Sequence, residues 1–187
     1  MITLRLPRLL LIAGNGRDSG KTTLAFSIIH KFSNILPLVA IKISPHQHKF
    51  EPGGNIIVNE DQLYIVEEND PATGKDSSRM LSAGAYKSYF VMASDDQLTK
   101  AMHKIIGITG QDAYLIAESG GLRRWVEPGL FFIVNRNGQD VIKTGTREIM
   151  KTEHTWIAFD GQKPDFDINL IGIQDKAWIL QQHYDNI

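Results

Sequence analysis

Short uninterrupted apolar runs recur along this chain, and several lead into stretches with helical spacing. Leu9–Ala13 reads LLLIA, apolar on both faces, as a strand buried in the middle of a parallel sheet requires. After it, Thr22–Lys31 places apolar residues at 24, 25, 26, 28 and 29, the spacing of a helix face. Leu36–Ile43 (LPLVAIKI) predicts a second strand. Asn55–Glu67 (NIIVNEDQLYIVE) alternates loosely and predicts a small hairpin that turns at Asn59–Gln62. Ser77–Ala85 and Asp95–Ile106 predict helices; Ser88–Ala93, Ala113–Glu118, Leu130–Asn135 and His154–Phe159 predict strands. Pro and Gly mark loops at 52–54, 71–74, 119–121 and 127–129. The alternation predicts an α/β fold: a mostly parallel central β-sheet, helices on both faces and a small β-hairpin insertion. No repeat, low-complexity tract or linker interrupts the 187 residues, which read as one domain.

Composition narrows the chemistry. Twenty basic against 21 acidic side chains leave a net charge of −1, which speaks against a partner bound by phosphate neutralisation along nucleic acid. No cysteine is present, so disulfides, thiolate metal sites and cysteine nucleophiles are excluded. Charge is unevenly spread: residues 51–76 carry seven acids and only Lys75, a local net of −6. Arg5 and Arg8 precede Leu9–Ala13, but five apolar residues fall short of a secretory core of about 7–15. No later run approaches the roughly 18 of a membrane span. A cytoplasmic protein without a membrane partner is expected.

The strongest chemical signal is Gly14-Asn15-Gly16-Arg17-Asp18-Ser19-Gly20-Lys21-Thr22-Thr23. It lies between a predicted strand and a predicted helix, the setting a phosphate-binding loop needs. Small residues let backbone N–H groups turn inward around phosphate oxygens, and the helix N-terminus adds a favourable field. In that reading Lys21 reaches the outer phosphates and the Thr22 hydroxyl ligates Mg²⁺. The spacing is Gly14-x₅-Gly20-Lys21-Thr22, one residue longer than the common form. The bland alternative is a glycine-rich strand–turn–helix. Glu118, at the tip of an apolar strand and before Ser119-Gly120-Gly121, is a candidate for the Mg²⁺ sphere, with Asp95 or Asp96 next in line. Arg79, three residues after Asp76, shares a helix face with it and could aim at an anion; a capped helix with a solvated arginine competes. The acidic 51–76 stretch is expected to fold over the pocket as one wall. Lys42 and the pair His46 and His48 follow the second strand, and the histidines could share a metal or stay solvated. Arg123 and Arg124 could meet an anionic substrate or face water. Asn135-Arg136-Asn137 could read a base edge, with a surface turn as its alternative.

Three segments together resemble the MobB family, nucleotide-binding accessory proteins of molybdopterin guanine dinucleotide biosynthesis. They are GKTTL at Gly20–Leu24, IK-x₃-H-x-H at Ile41–His48, and GKDS-x-R-x₄-AGA at Gly74–Ala85. The likeness spans about residues 9–135; past Gly138 nothing is recognised. It implies a P-loop NTPase fold with Mg²⁺ and GTP (or ATP) as ligands. Residues 14–23 would hold the phosphates, with Lys42, Lys75 and Arg79 supplying further positive charge. Thr22, Glu118 and Asp76 would face the metal, and Lys21 with Glu118 would carry a slow hydrolysis. Molybdopterin and a partner protein of cofactor biosynthesis are the implied partners, and a homodimer is compatible. Glu118-Ser119-Gly120-Gly121 and the long loop lean instead toward the dethiobiotin synthetase and cobyrinic amidase branch of the same class, which implies an ATP-dependent ligase or kinase. A third reading is a non-catalytic interaction or metal-carrying module built on His46 and His48.

Overall fold

A computed structural model describes residues 3–45 and 54–181. Its centre is β1 (Leu4–Gly14), whose residues Leu9–Ala13 are all buried. The strands that flank it come from far along the chain: β6 (Tyr114–Glu118) on one side and β7 (Val126–Arg136) on the other, both parallel to β1. Outside β6 lie β2 (Leu38–Ser44) and β5 (Lys87–Ala93); outside β7 lies β8 (Thr155–Phe159). The hairpin of β3 (Gly54–Glu60) and β4 (Leu63–Glu68) completes an eight-stranded sheet of order β3-β4-β5-β2-β6-β1-β7-β8. Within this sheet, among the described residues, only the β3–β4 and β4–β5 pairings are antiparallel.

Residues of β1 alternate between two apolar layers, as strand geometry dictates. Leu9, Leu11 and Ala13 pack with Leu98, Ala101, Met102 and Ile105 of α3 (Leu98–Thr109). The short α4 (Thr144–Ile149) adds Ile149 to the same layer. Leu10 and Ile12 face the other way, onto Leu24, Ala25, Ile28 and Ile29 of α1 (Lys21–Phe32) and Met80 of α2 (Asp76–Ser82). That second layer is finished by a separate hairpin, β9 (Ile171–Gln174) and β10 (Ala177–Leu180). Trp178 is buried there, donates from Nε1 to the Arg8 carbonyl at 2.9 Å, and meets Phe32 and Tyr114 edge-on.

Four sequence expectations change. The hairpin is no insertion: its β4 pairs with β5 and extends the main sheet, turning at Asp61–Gln62 with Gln62 at φ 59°. Residues 127–129 are strand and not loop, because Glu127 and Pro128 pair with Arg5 and Leu6. β8 pairs only from Phe132 onward, so Pro128 sits where a missing N–H costs no ladder bond on that side. Gly129 is needed at this approach, since a Cβ there would lie 2.1 Å from the Pro7 carbonyl oxygen. β1 starts at Leu4, five residues before the apolar run, with half-buried Leu4 and Leu6 alternating with exposed Arg5 and Pro7. α3 begins after a 3₁₀ turn at Asp95–Gln97. Among the described residues no helix is long and apolar enough to cross a membrane.

Candidate functional site

In a parallel sheet the C-terminal strand ends collect on one edge, where loops form a crevice. Here that edge carries Gly14, Lys42, Glu118, Arg136 and Phe159 at or near the ends of β1, β2, β6, β7 and β8. A cleft of about 430 Å³ opens there, lined by residues 17–23 with Lys42, Asp76, Arg79, Glu118, Arg136, Phe159 and Gly161.

The β1–α1 loop owes its shape to its small residues. A Cβ on Gly14 would sit 2.3 Å from Ser19 Oγ and 2.6 Å from the Lys21 stem, so only glycine lets the loop fold back over the strand. Asp18 and Gly20 have φ of 53° and 92°, and a Cβ on Gly20 would run into the Phe159 ring at 2.3 Å. Gly20 is also the N-cap of α1, and no side chain caps the helix; its first turn holds no acid. The leading N–H groups of α1 therefore lack side-chain acceptors at the cleft, an arrangement suited to an anion. Lys21 Nζ bridges the loop, donating to the Gly16 carbonyl at 2.7 Å and to Ser19 Oγ at 3.1 Å.

Asn15 does different work. It is fully buried, its Nδ2 donates to Asn135 Oδ1 and to the Val141 carbonyl, and its Oδ1 accepts from the Lys143 backbone N–H. The Gln139 side chain donates to its carbonyl at 2.5 Å. Asn15 thus ties the loop to the 135–143 segment and lies outside the cleft lining. Asn135 is used up in the same way, its Nδ2 donating to the Arg136 and Gln139 carbonyls. Its neighbour Arg136 is the residue of that trio that reaches the cleft.

The cleft floor is a chain of polar contacts across four elements, α1, β6, β2 and α2. Thr22 Oγ1 donates to Glu118 Oε2 at 2.9 Å. Lys42 Nζ contacts Glu118 Oε1 at 2.5 Å and Asp76 Oδ2 at 2.6 Å. Arg79 Nη1 lies 3.9 Å from Asp76 Oδ1, and its guanidinium stacks 4.7 Å from the Phe26 ring. Glu118 is only 2% exposed, and a buried carboxylate demands such partners.

The two lysines respond in opposite ways. Burial is the largest influence on Lys21 and lowers its pKa from 10.5, Glu118 pulling the other way and Lys42 adding repulsion. Burial also works against Lys42, but the charges and hydrogen bonds of Glu118 and Asp76 outweigh it and raise the pKa.

The remaining sequence candidates separate clearly. Lys75 precedes α2 and does not line the cleft. Between 54 and 76, Asp76 alone does so. The described part of the acidic stretch, 54–76, is therefore no wall of the pocket beyond Asp76, because its hairpin is carried by β5 to the far edge of the sheet. Asp95 is bound to Arg124, and Asp96 accepts from Ser94 Oγ at 2.6 Å. Arg124 also approaches Glu148 at 3.6 Å, and Arg123 donates to the Val126 carbonyl and stacks on Phe131. None of the four lines the cleft. Ser119 Oγ accepts from the Gly121 and Leu122 backbone, so it fixes the turn after Glu118. His46 and His48 lie outside the described residues. Phe159 and Gly161 were not anticipated; an apolar run ending in Phe-Asp-Gly at a strand tip was their signal.

A site for a divalent cation is consistent with the donors present. Thr22 and Glu118 are hydrogen-bonded to each other, and Asp76 shares a lysine with Glu118. Hard oxygen donors of this kind suit Mg²⁺, which takes only one or two carboxylates and completes its shell from phosphate and water. Among the described residues no group of three or more His, Asp or Glu is placed to hold a metal alone. No protein-family model matches the chain, and no curated protein or solved structure is significantly similar to it.

Proposed function

We propose that this cleft is a P-loop that binds Mg²⁺ and a nucleoside triphosphate, GTP or ATP, and hydrolyses it slowly. In this reading the protein is a MobB-like adaptor in molybdenum cofactor maturation. The observation that carries the nucleotide reading is the uncapped α1 N-terminus, with Lys21 folded across a loop that only glycines permit. Such a loop presents N–H groups and one ammonium to the same small volume, which suits phosphate oxygens better than any neutral group. Thr22, Glu118 and Asp76 would hold the metal, whose charge would offset that of the outer phosphates. The chain's own contribution is then positioning: Glu118 orients the Thr22 hydroxyl, and Arg79 and Arg136 flank the loop as further cations. The adaptor role rests on the sequence resemblance, and molybdopterin is the second ligand it suggests.

The test is equilibrium binding of GTP, ATP and molybdopterin to the purified protein, with and without Mg²⁺. Lys21→Ala is expected to weaken triphosphate binding by about 1.5–3 kcal/mol, roughly ten- to a hundredfold, as for a hydrogen bond to a charged group. Unchanged affinity in a folded variant overturns the nucleotide reading. Tight ATP binding that discriminates against GTP and ignores molybdopterin would shift the reading to the ligase branch.

A further inference from the structure

Lys42 poses a question that the phosphate loop does not answer. Its ammonium lies between Glu118 and Asp76, at 2.5 and 2.6 Å, and Glu118 in turn receives the Thr22 hydroxyl at 2.9 Å. The side chain is 18% exposed, and Glu118 is buried. A cation therefore already occupies the place where the Asp76 carboxylate and the Thr22-bonded Glu118 carboxylate converge. We propose that Lys42 is a stand-in for the divalent cation: it holds the two carboxylates together while the cleft is empty and keeps free metal out.

The proposal rests on the nucleotide reading above, and it names how that site admits its metal. Glu118 is buried while the Asp76 side chain is 36% exposed; left without a counter-ion, two carboxylates converging there would repel each other or take up whatever cation is at hand. One ammonium satisfies both at the charge of +1. A divalent ion arriving alone must displace it, leaving a half-buried lysine beside a dication, and like charges a few ångströms apart oppose that arrangement. A metal that arrives with a triphosphate brings anionic oxygens with it. The displaced ammonium then has a new partner, and the opposition disappears. Lys42 needs only its flexible four-carbon stem for this move. The residue would thus couple metal entry to nucleotide entry without touching the base. The lysine's other surroundings agree: Lys21 is close enough to Lys42 to feel its charge, so a second bare cation adds repulsion here unless phosphate accompanies it.

The experiment uses Mn²⁺ alone as the probe, on the full chain without nucleotide, by calorimetry or electron spin resonance. Lys42→Met removes the charge and keeps the stem; Lys42→Gln also keeps a hydrogen-bond donor for Glu118 and protects against a folding defect. Either variant is expected to bind Mn²⁺ at least about tenfold more tightly than the parent, the repulsion having gone. Adding Glu118→Gln to either variant is expected to abolish the gain. Parent-like Mn²⁺ affinity in both variants overturns the proposal, as does a gain that survives Glu118→Gln. The outcome is separable from the nucleotide reading, because that reading stands or falls on triphosphate affinity in Lys21→Ala, where Lys42 is intact.

Discussion

Lys21 and Lys42 lie in one cleft with opposite tendencies, and the difference is visible in how stability depends on pH. Burial lowers Lys21 below 10.5. Between its folded value and 10.5 the unfolded chain binds the proton more tightly, so this group's contribution to stability rises with pH across that window. Lys42 is raised above 10.5 by its two carboxylates, despite burial; its stabilisation is present below 10.5 and is lost only as pH climbs through its higher folded value. Lys21→Met is therefore expected to flatten the rise in stability on approaching pH 10.5, as read by urea unfolding at stepped pH. An unchanged slope would mean that Lys21 is not held in a desolvated place. At this scale the sequence was informative where chemistry depends on residue type: Lys21, Thr22, Lys42, Asp76, Arg79 and Glu118 all reach one cleft. It was misleading for Asn15, because a side chain that braces a loop from within looks the same in sequence as one that lines it.

Among the elements, the strands buried on both faces and the alternating ones at the sheet's two ends, β3, β4 and β8, were legible, whereas the polar first halves of β1 and β7 were not. Leu9–Ala13 and Ala113–Glu118 stand out because both layers demand apolar side chains. The first half of β1 and of β7 pair with each other as Leu4–Val126, Arg5–Glu127 and Leu6–Pro128, and the charges of Arg5 and Glu127 and the missing N–H of Pro128 hide a strand. α4 is too short for periodicity to register, and Lys143, its N-cap, is fixed by Asn15 Oδ1 and not by a cap of its own. With the bond to the Val141 carbonyl, that contact makes residues 141–143 lean on one distant amide. Asn15→Ala strands the Val141 carbonyl and the Lys143 N–H and is expected to cost about 2 kcal/mol. Native-state hydrogen exchange should show faster exchange at Lys143 and along α4, with the core of α1 unaffected; uniform loss of protection would mean that the whole fold and not this segment had been weakened.

For the molecule as a whole, the mostly parallel sheet with helices on both faces followed from the alternation of apolar runs with helical stretches. The strand order did not, since no local pattern states that β1 lies between β6 and β7. The C-terminal hairpin was likewise illegible, although its Trp178 closes one apolar layer from below. Trp178→Ala removes a fully buried ring and the bond to the Arg8 carbonyl, and a loss of about 3–5 kcal/mol in denaturant unfolding is expected. A loss under 1 kcal/mol would show that the hairpin is an ornament on a core complete without it.

The place of β1 has a consequence for how the protein is made. Leu9 pairs with Leu115, and Leu10 with both Ile116 and Leu130, so the most apolar segment leaves the ribosome long before either neighbour exists. Contacts this distant in sequence are slow to form. During synthesis LLLIA is a bare, greasy strand with two open edges, the kind of segment that sticks to its own kind or is held by a chaperone. The residue run that makes the finished sheet hardest to open is also the one that leaves the nascent chain most exposed to aggregation.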